Sequence, residues 1–202
     1  DEYNKLIDGF EDDRPRCLSQ VNRDLRREKD ELRVIRRQEL LVLRRAPERI
    51  AMERNTWFHV ALNADQQYIY SMIRMLEPIK EHVDNSFNPL PQTYIAEYEP
   101  VRRGINDLLK QTEDIITTSD FDNYRSVLEK ADNMKDLLSE IRKKHIDRMQ
   151  GFNDNRLLKI SVVYLNLLQE SQQLLSNMRH QLRATKKFLE EGFSSSDLDT
   201  ED

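Results

Sequence analysis

Four carboxylates, Glu129, Asp132, Asp136 and Glu140, recur at spacings of three and four. On a helix that spacing puts them along one face with neighbouring oxygens close together. Hard divalent cations, and iron, accept oxygen sets of this kind, so a divalent metal or iron is the one cofactor these residues suggest. Tyr124, Val127, Ala131, Met134, Leu138, Ile141 and His145 form the opposite, apolar stripe of the same segment. A carboxylate row across from such a stripe is ordinarily a solvated face. A second set is neutral and hydrogen-bonding: Thr56, His59, Asn63 and Gln67 in one long segment, and Asn166, Gln169, Gln173, Asn177 and His180 in another. Exposed helix faces usually carry Lys and Glu, so this polar seam is expected to be half-buried and hydrogen-bonded. Its members either satisfy one another or form a contact that opens, or receives an anion, when the protein changes state.

Catalytic equipment is otherwise sparse. The chain holds no Gly-rich phosphate loop, no His-Glu-x-x-His and no Gly-x-Ser-x-Gly, and its four histidines, His59, His82, His145 and His180, are scattered singly. The single cysteine, Cys17, has no partner for a disulfide or a structural zinc site, which favours a reducing, intracellular setting. A non-enzyme is expected, with an oxygen-ligated metalloenzyme as the least favoured reading.

The elements that must position these residues are helices. From Arg156 to Glu191 there is neither Gly nor Pro, and Leu158, Leu165, Leu168, Leu175, Leu182 and Leu189 recur at three and seven, the signature of one helical stripe. A helix of that length spans roughly 50 Å and needs neighbours throughout. Residues 16–45 repeat Leu18, Val21, Leu25, Glu28, Leu32, Ile35, Glu39 and Val42 as a heptad, with arginines on the other faces. That heptad is expected to mediate self-association, and its basic faces to carry surface ion pairs or to lean on an anionic partner. Pro47 opens a helix from Glu48 to about His82, kinked near Pro78, with Trp57, Val60, Ala61, Ala64, Tyr68, Met72, Met75, Ile79 and Val83 inward. After the break at residues 85–92 come helices over about 93–117 and 121–150. Ser119 or Asp120 is placed to cap the second of these, and Asn153 or Asp154 the long helix that follows. The fold class is all-α, an antiparallel bundle of about five long helices. Residues 1–15 are expected to be an acidic tether, 16–191 the bundle and 192–202 a disordered acidic tail.

Charge agrees with that division. Residues 1–13 carry six acids against Lys5, and residues 190–202 carry six acids and no base, although the whole chain is only −5. The body between them is mildly basic, which suits phosphate or acidic headgroups but is too weak a bias for nucleic acid. No apolar run reaches the eighteen or so residues of a membrane span, so the chain reads as a soluble piece, with membrane spans, if any, outside it. A weak internal repeat sets Asp65, Gln67, Ser71, Ile73 and Arg74 over Glu170, Gln172, Ser176, Met178 and Arg179, which implies two helical units related by an approximate twofold.

Three stretches carry a resemblance. Residues 53–59 (Glu-Arg-Asn-Thr-Trp-Phe-His), 81–91 (Glu-His-Val-Asp-Asn-Ser-Phe-Asn-Pro-Leu-Pro), and 164–171 with 178–184 look like the PhoU-like cytoplasmic region of bacterial inorganic phosphate transporters of the Pit and sodium/phosphate cotransporter types. The likeness runs over roughly residues 17–189. It implies paired three-helix units and metal binding through acid-x-x-x-acid motifs, to which Asp132 and Asp136 correspond. It also implies a non-enzymatic regulatory domain at the cytoplasmic face of the inner membrane, joined to a membrane-embedded phosphate permease domain in the same polypeptide and able to form a homodimer. The alternative from the residues alone is a cytoplasmic helical scaffold for protein-protein assembly, with no tie to transport.

Overall fold

A computed structural model describes residues 1–43, 48–151 and 154–194, with side chains described outside 39–55 and 191–194. The described residues form six helices and no strand: α1 (Glu2–Glu11), α2 (Pro15–Leu43), α3 (Glu48–Asp84), α4 (Gln92–Thr118), α5 (Tyr124–Met149) and α6 (Asn155–Ser194). None of them is long and apolar enough to cross a membrane. Five are long, and α3 runs through Pro78 as one helix. The heptad helix and the three that follow α3 fall where the periodicity puts them. Residues 44–47, including Pro47, lie outside the described residues, as do Asn153 and most of the expected tail.

Helices α3 and α6 form the central pair. Arg74 meets Glu170, Ser71 meets Asn177 and Asp65 meets Gln181, so as one chain descends the other ascends and the pair is antiparallel. Met72, Met75, Leu76 and Ile79 from α3, and Leu167, Leu168, Leu174, Leu175, Met178 and Leu182 from α6, are buried in one continuous core. Helix α4 runs parallel to α6, with Tyr94 at the level of Ser161 and Tyr98 bonded to Ser171. Helix α5 runs antiparallel to it, from Asp132 beside Arg179 to His145 beside Ser161. Leu158 of the expected α6 stripe is 40% exposed, lining an open cavity with Pro78, Glu81 and His82 of α3.

The connections follow from local chemistry. Ser119, at φ 56°, ends α4 in the left-handed region, and the Asp120 side chain accepts from the Asp122 amide at 3.0 Å. These two residues therefore build the turn, while Asn123 occupies the N-cap of α5 without a side-chain bond. At the start of α6, Asp154 accepts from the Arg156 amide at 2.8 Å, satisfying one of the free donors of a helix N-terminus.

The largest correction concerns residues 1–15, which are no tether. Tyr3, Leu6, Ile7 and Phe10 stand at the i, i+3, i+4, i+7 positions of α1 and are at most 2% exposed. Burying each such side chain contributes about 1.5–3 kcal/mol, enough to order a short helix that acidic composition alone would leave free. Its acids are used as well: Asp8 and Glu11 take Arg102 of α4 at 2.5 and 3.3 Å. Asn4 and Asn106 exchange amide bonds at 2.9 and 2.7 Å beside them. Tyr3 and Tyr98 share a hydroxyl bond of 2.8 Å, and Tyr98 passes it to Ser171 at 2.6 Å. One hydrogen-bonded chain thereby ties α1 to α4 and α6, satisfying hydroxyls that would otherwise be costly to bury.

Gly9 lets α1 lie against α2. A Cβ there would stand 2.7 Å from Leu18 Cδ2 and 2.9 Å from its Cγ, and Leu18 is fully buried, so Gly9→Ala should cost about 1–3 kcal/mol. Leu6→Ala should cost about 2–5 kcal/mol, lowering the melting temperature by about 2–4 °C per kcal/mol in a domain of this size. Deletion of residues 1–13 should lower it further. Thermal melts of the three variants check this, and a melting temperature that survives the deletion would return the segment to the status of a tether.

Candidate functional site

The acidic row of α5 does not converge. Glu129, Asp132, Asp136 and Glu140 are all exposed, and at 1.5 Å per residue the outer two are about 16 Å apart along the axis, too far to share an ion. Asp132 is already in an ion pair with Arg179 of α6. Among the described residues no group of three or more His, Cys, Asp or Glu is arranged to hold a metal ion.

The polar seam is displaced from its expected place. Asn63, Gln67, Gln169, Gln173 and His180 are exposed, and His59 is half-buried. Neutral amides tolerate solvent at little cost, and which helix face is covered depends on the neighbours rather than on residue type. Asn177 of the expected seam does join the polar contact between α3 and α6, whose other members are Asp65, Ser71, Arg74, Glu170 and Gln181. Arg74 Nε donates to Glu170 at 2.9 Å, and its terminal nitrogen to Ser71 at 3.0 Å. Asn177 donates to the same hydroxyl at 3.3 Å. The internal repeat maps the Arg74–Glu170 pair onto Arg179 and Asp65, but those two do not pair. Gln181 holds Asp65, and Arg179 turns to Asp132.

A basic groove between α2 and α3 is the site best equipped for a ligand. Lys29, Leu32, Arg33 and Arg36 of α2 face Leu62, Gln66, Ile69 and Tyr70 of α3 around a cavity of about 150 Å³. Lys29 Nζ lies 4.7 Å from the centre of the Tyr70 ring, a cation–π contact. Gln66 donates to the Tyr70 hydroxyl at 3.3 Å. That bond, and then the charges of Lys29 and Arg33, lower the hydroxyl's pKa from its ordinary value. Arg33 is held by Asp30 at 3.1 Å. Arg36 is exposed, with no ion-pair partner among the described residues. The geometry offers an anion two or three cations and an amide donor on an apolar floor.

Leu18, Val21 and Leu25 of the heptad are buried, and Glu28 stands at the level of Glu2. Burial first, and Glu2 second, raise the Glu28 pKa. Further along α2, Val34 is 52% and Ile35 46% exposed. Cationic side chains and the end of the heptad thus share one uncovered stretch.

Residue types alone did not point to the aromatic cluster. Tyr94 stacks on Tyr164 at 4.8 Å, and His145 meets both edge-on at 4.9 Å. His145 Nε2 donates to the Ser161 carbonyl at 3.0 Å, and burial lowers its pKa, keeping the ring neutral at pH 7. Two serines meeting two tyrosines were the available signal: Ser161 of α6 against Tyr94, and Ser171 of α6 against Tyr98. Comparison with protein-family models, curated proteins and solved structures finds no match to this chain.

Asp65 gives the seam a pH dependence. Burial pushes its pKa up to about 6 from 3.8, only partly offset by the Gln181 bond. The folded state therefore keeps a proton that the unfolded chain has lost between these values. Stability falls as pH rises through that window, and the penalty, about 3 kcal/mol at most, is complete above it. Asp65→Asn should raise stability at pH 7 by about 1–3 kcal/mol and give almost no gain at pH 4. Urea denaturation at the two pH values measures this, and a loss of stability at pH 7 would mean that the carboxylate is fully satisfied as an anion.

Proposed function

We propose that this chain is a non-enzymatic regulatory domain of an inorganic phosphate transporter. In this reading it works at the cytoplasmic face of the inner membrane, joined to a membrane-embedded permease domain, and adjusts phosphate uptake. The observation that carries the reading is the basic groove, where Lys29, Arg33 and Arg36 stand beside Gln66 and Tyr70. A phosphate, free or on a partner, is the anion that such a fork of guanidiniums and an ammonium takes well. The all-helical bundle of long rods supports the PhoU-like resemblance at the level of fold class. Occupancy of the groove would join α2 to α3 across their uncovered ends, and a change in that spacing is what a permease domain could sense.

Val34 and Ile35 favour a second reading, a helical scaffold that assembles through the end of the heptad or pairs two copies there. Leu25 takes no part in either, because it is 1% exposed within the core and an acidic residue there would unfold the bundle. Val34→Asp with Ile35→Asp is the suitable disruption, since both lie in solvent.

The two readings separate in the full transporter. Arg33→Glu with Arg36→Glu should leave the stability of the domain within about 1 kcal/mol of the parent, while abolishing the response of radiolabelled phosphate uptake to phosphate supply. The apolar pair of substitutions should leave that response intact. If the charge reversal has no effect on uptake control while Val34→Asp with Ile35→Asp removes it, assembly is the function and the groove is a solvated surface.

A further inference from the structure

A second cavity lies between α3, α4 and α6, about 300 Å³ in volume and lined by Asp65, Tyr68, Leu109, Thr112, Glu113, Ile116, Thr117, Met178 and Gln181. Its chemistry is opposite in sign to that of the basic groove. Asp65 is largely buried and held by a single amide, that of Gln181. Thr112 is 4% exposed, and its hydroxyl has no hydrogen-bond partner. Threonine within a helix commonly gives its hydroxyl to the carbonyl four residues back, so a buried, unpartnered hydroxyl on the wall of a cavity calls for a ligand. Glu113 is exposed beside it, and no cationic side chain lines the cavity.

From this arrangement we infer that the cavity binds a short aliphatic ammonium ion. The ammonium has three donors and no acceptor. One goes to Asp65, one to the Thr112 hydroxyl and the third to the mouth, where Glu113 raises the local concentration of cations. The carbon chain lies over Leu109, Ile116 and Met178, and Tyr68 adds an aromatic wall. A carboxylate ligand would be repelled by Asp65 and Glu113, and a neutral alcohol would leave the buried carboxylate without a counter-charge. The volume is at the lower end of the range for ligand cavities, which fits a small molecule rather than a peptide. With so few atoms to contact, affinity is expected on the order of millimolar.

The test uses the full chain and n-butylammonium chloride, with n-butanol and sodium butyrate at the same concentration and ionic strength as controls. Methyl resonances of Met178, Ile116 and Leu109 should shift and saturate with n-butylammonium at millimolar concentration, and respond at least tenfold more weakly to the alcohol and to butyrate. Asp65→Asn should weaken the response at least tenfold, and Thr112→Val severalfold, in proteins whose thermal melts remain cooperative. Shifts of equal size for alcohol and ammonium would reduce the cavity to an apolar hole and overturn the inference. So would an undiminished response in Asp65→Asn. The wild-type comparison decides the matter even if a variant fails to fold.

Discussion

Because α3 and α6 run antiparallel along one apolar seam, every other helix is placed by which flank of that pair it covers. Helices α4 and α5 close one side through the Tyr94, Tyr98, Tyr164 and His145 cluster, and α1 with the first half of α2 closes the other. The pair itself is apolar except where Ser71, Arg74, Glu170 and Asn177 meet and where Gln181 holds Asp65. Glu170 is deeply buried and Arg74 only partly so. Removing the arginine would leave an unpaired charge in the core, a more serious loss than the modest attraction the pair provides. The pair thus specifies alignment more than it contributes strength.

The basic groove lies between α2 and α3, and the acidic cavity lies where α4 and the α3–α6 pair leave Thr112 unpartnered. Their opposite charges suit opposite ligands. They also lie on the same helix: Asp65 faces one cavity, while Gln66 and Tyr70 face the other. The two cavities thus lie within two turns of each other along α3.

Long-period apolar patterning carries most of the fold. The stripes of α4 and α5 needed no tertiary information, whereas α6, packed against α3, α4 and α5, buries more than one face and, of its expected stripe, Leu168, Leu175 and Leu182. Residues 1–13 were harder to read, because Tyr3, Leu6, Ile7 and Phe10 have a helical period but sit among six acids. Composition argued for a tether, and Arg102, nearly a hundred residues away, is what neutralises Asp8 and Glu11. The site was less legible still. The carboxylates of α5 share a face but follow the helix axis instead of converging on a point. Asn63, Gln67, Gln169 and Gln173, chosen for the seam, are exposed, whereas Asn177 is half-buried and meets Ser71. What decides between a solvated residue and a site is which face a neighbouring helix covers, and spacing within one helix does not contain it.

The central claim is that the α2–α3 groove reads phosphate, and direct titration tests it most plainly. Amide and side-chain spectra of the isotope-labelled chain would be followed as inorganic phosphate is added at constant ionic strength, with chloride as the reference. The account predicts saturable shifts confined to Lys29, Arg33, Arg36, Gln66 and Tyr70, absent when Arg33 and Arg36 are reversed in charge. Shifts no larger than those from chloride, or shifts spread evenly over all exposed arginines, would contradict it.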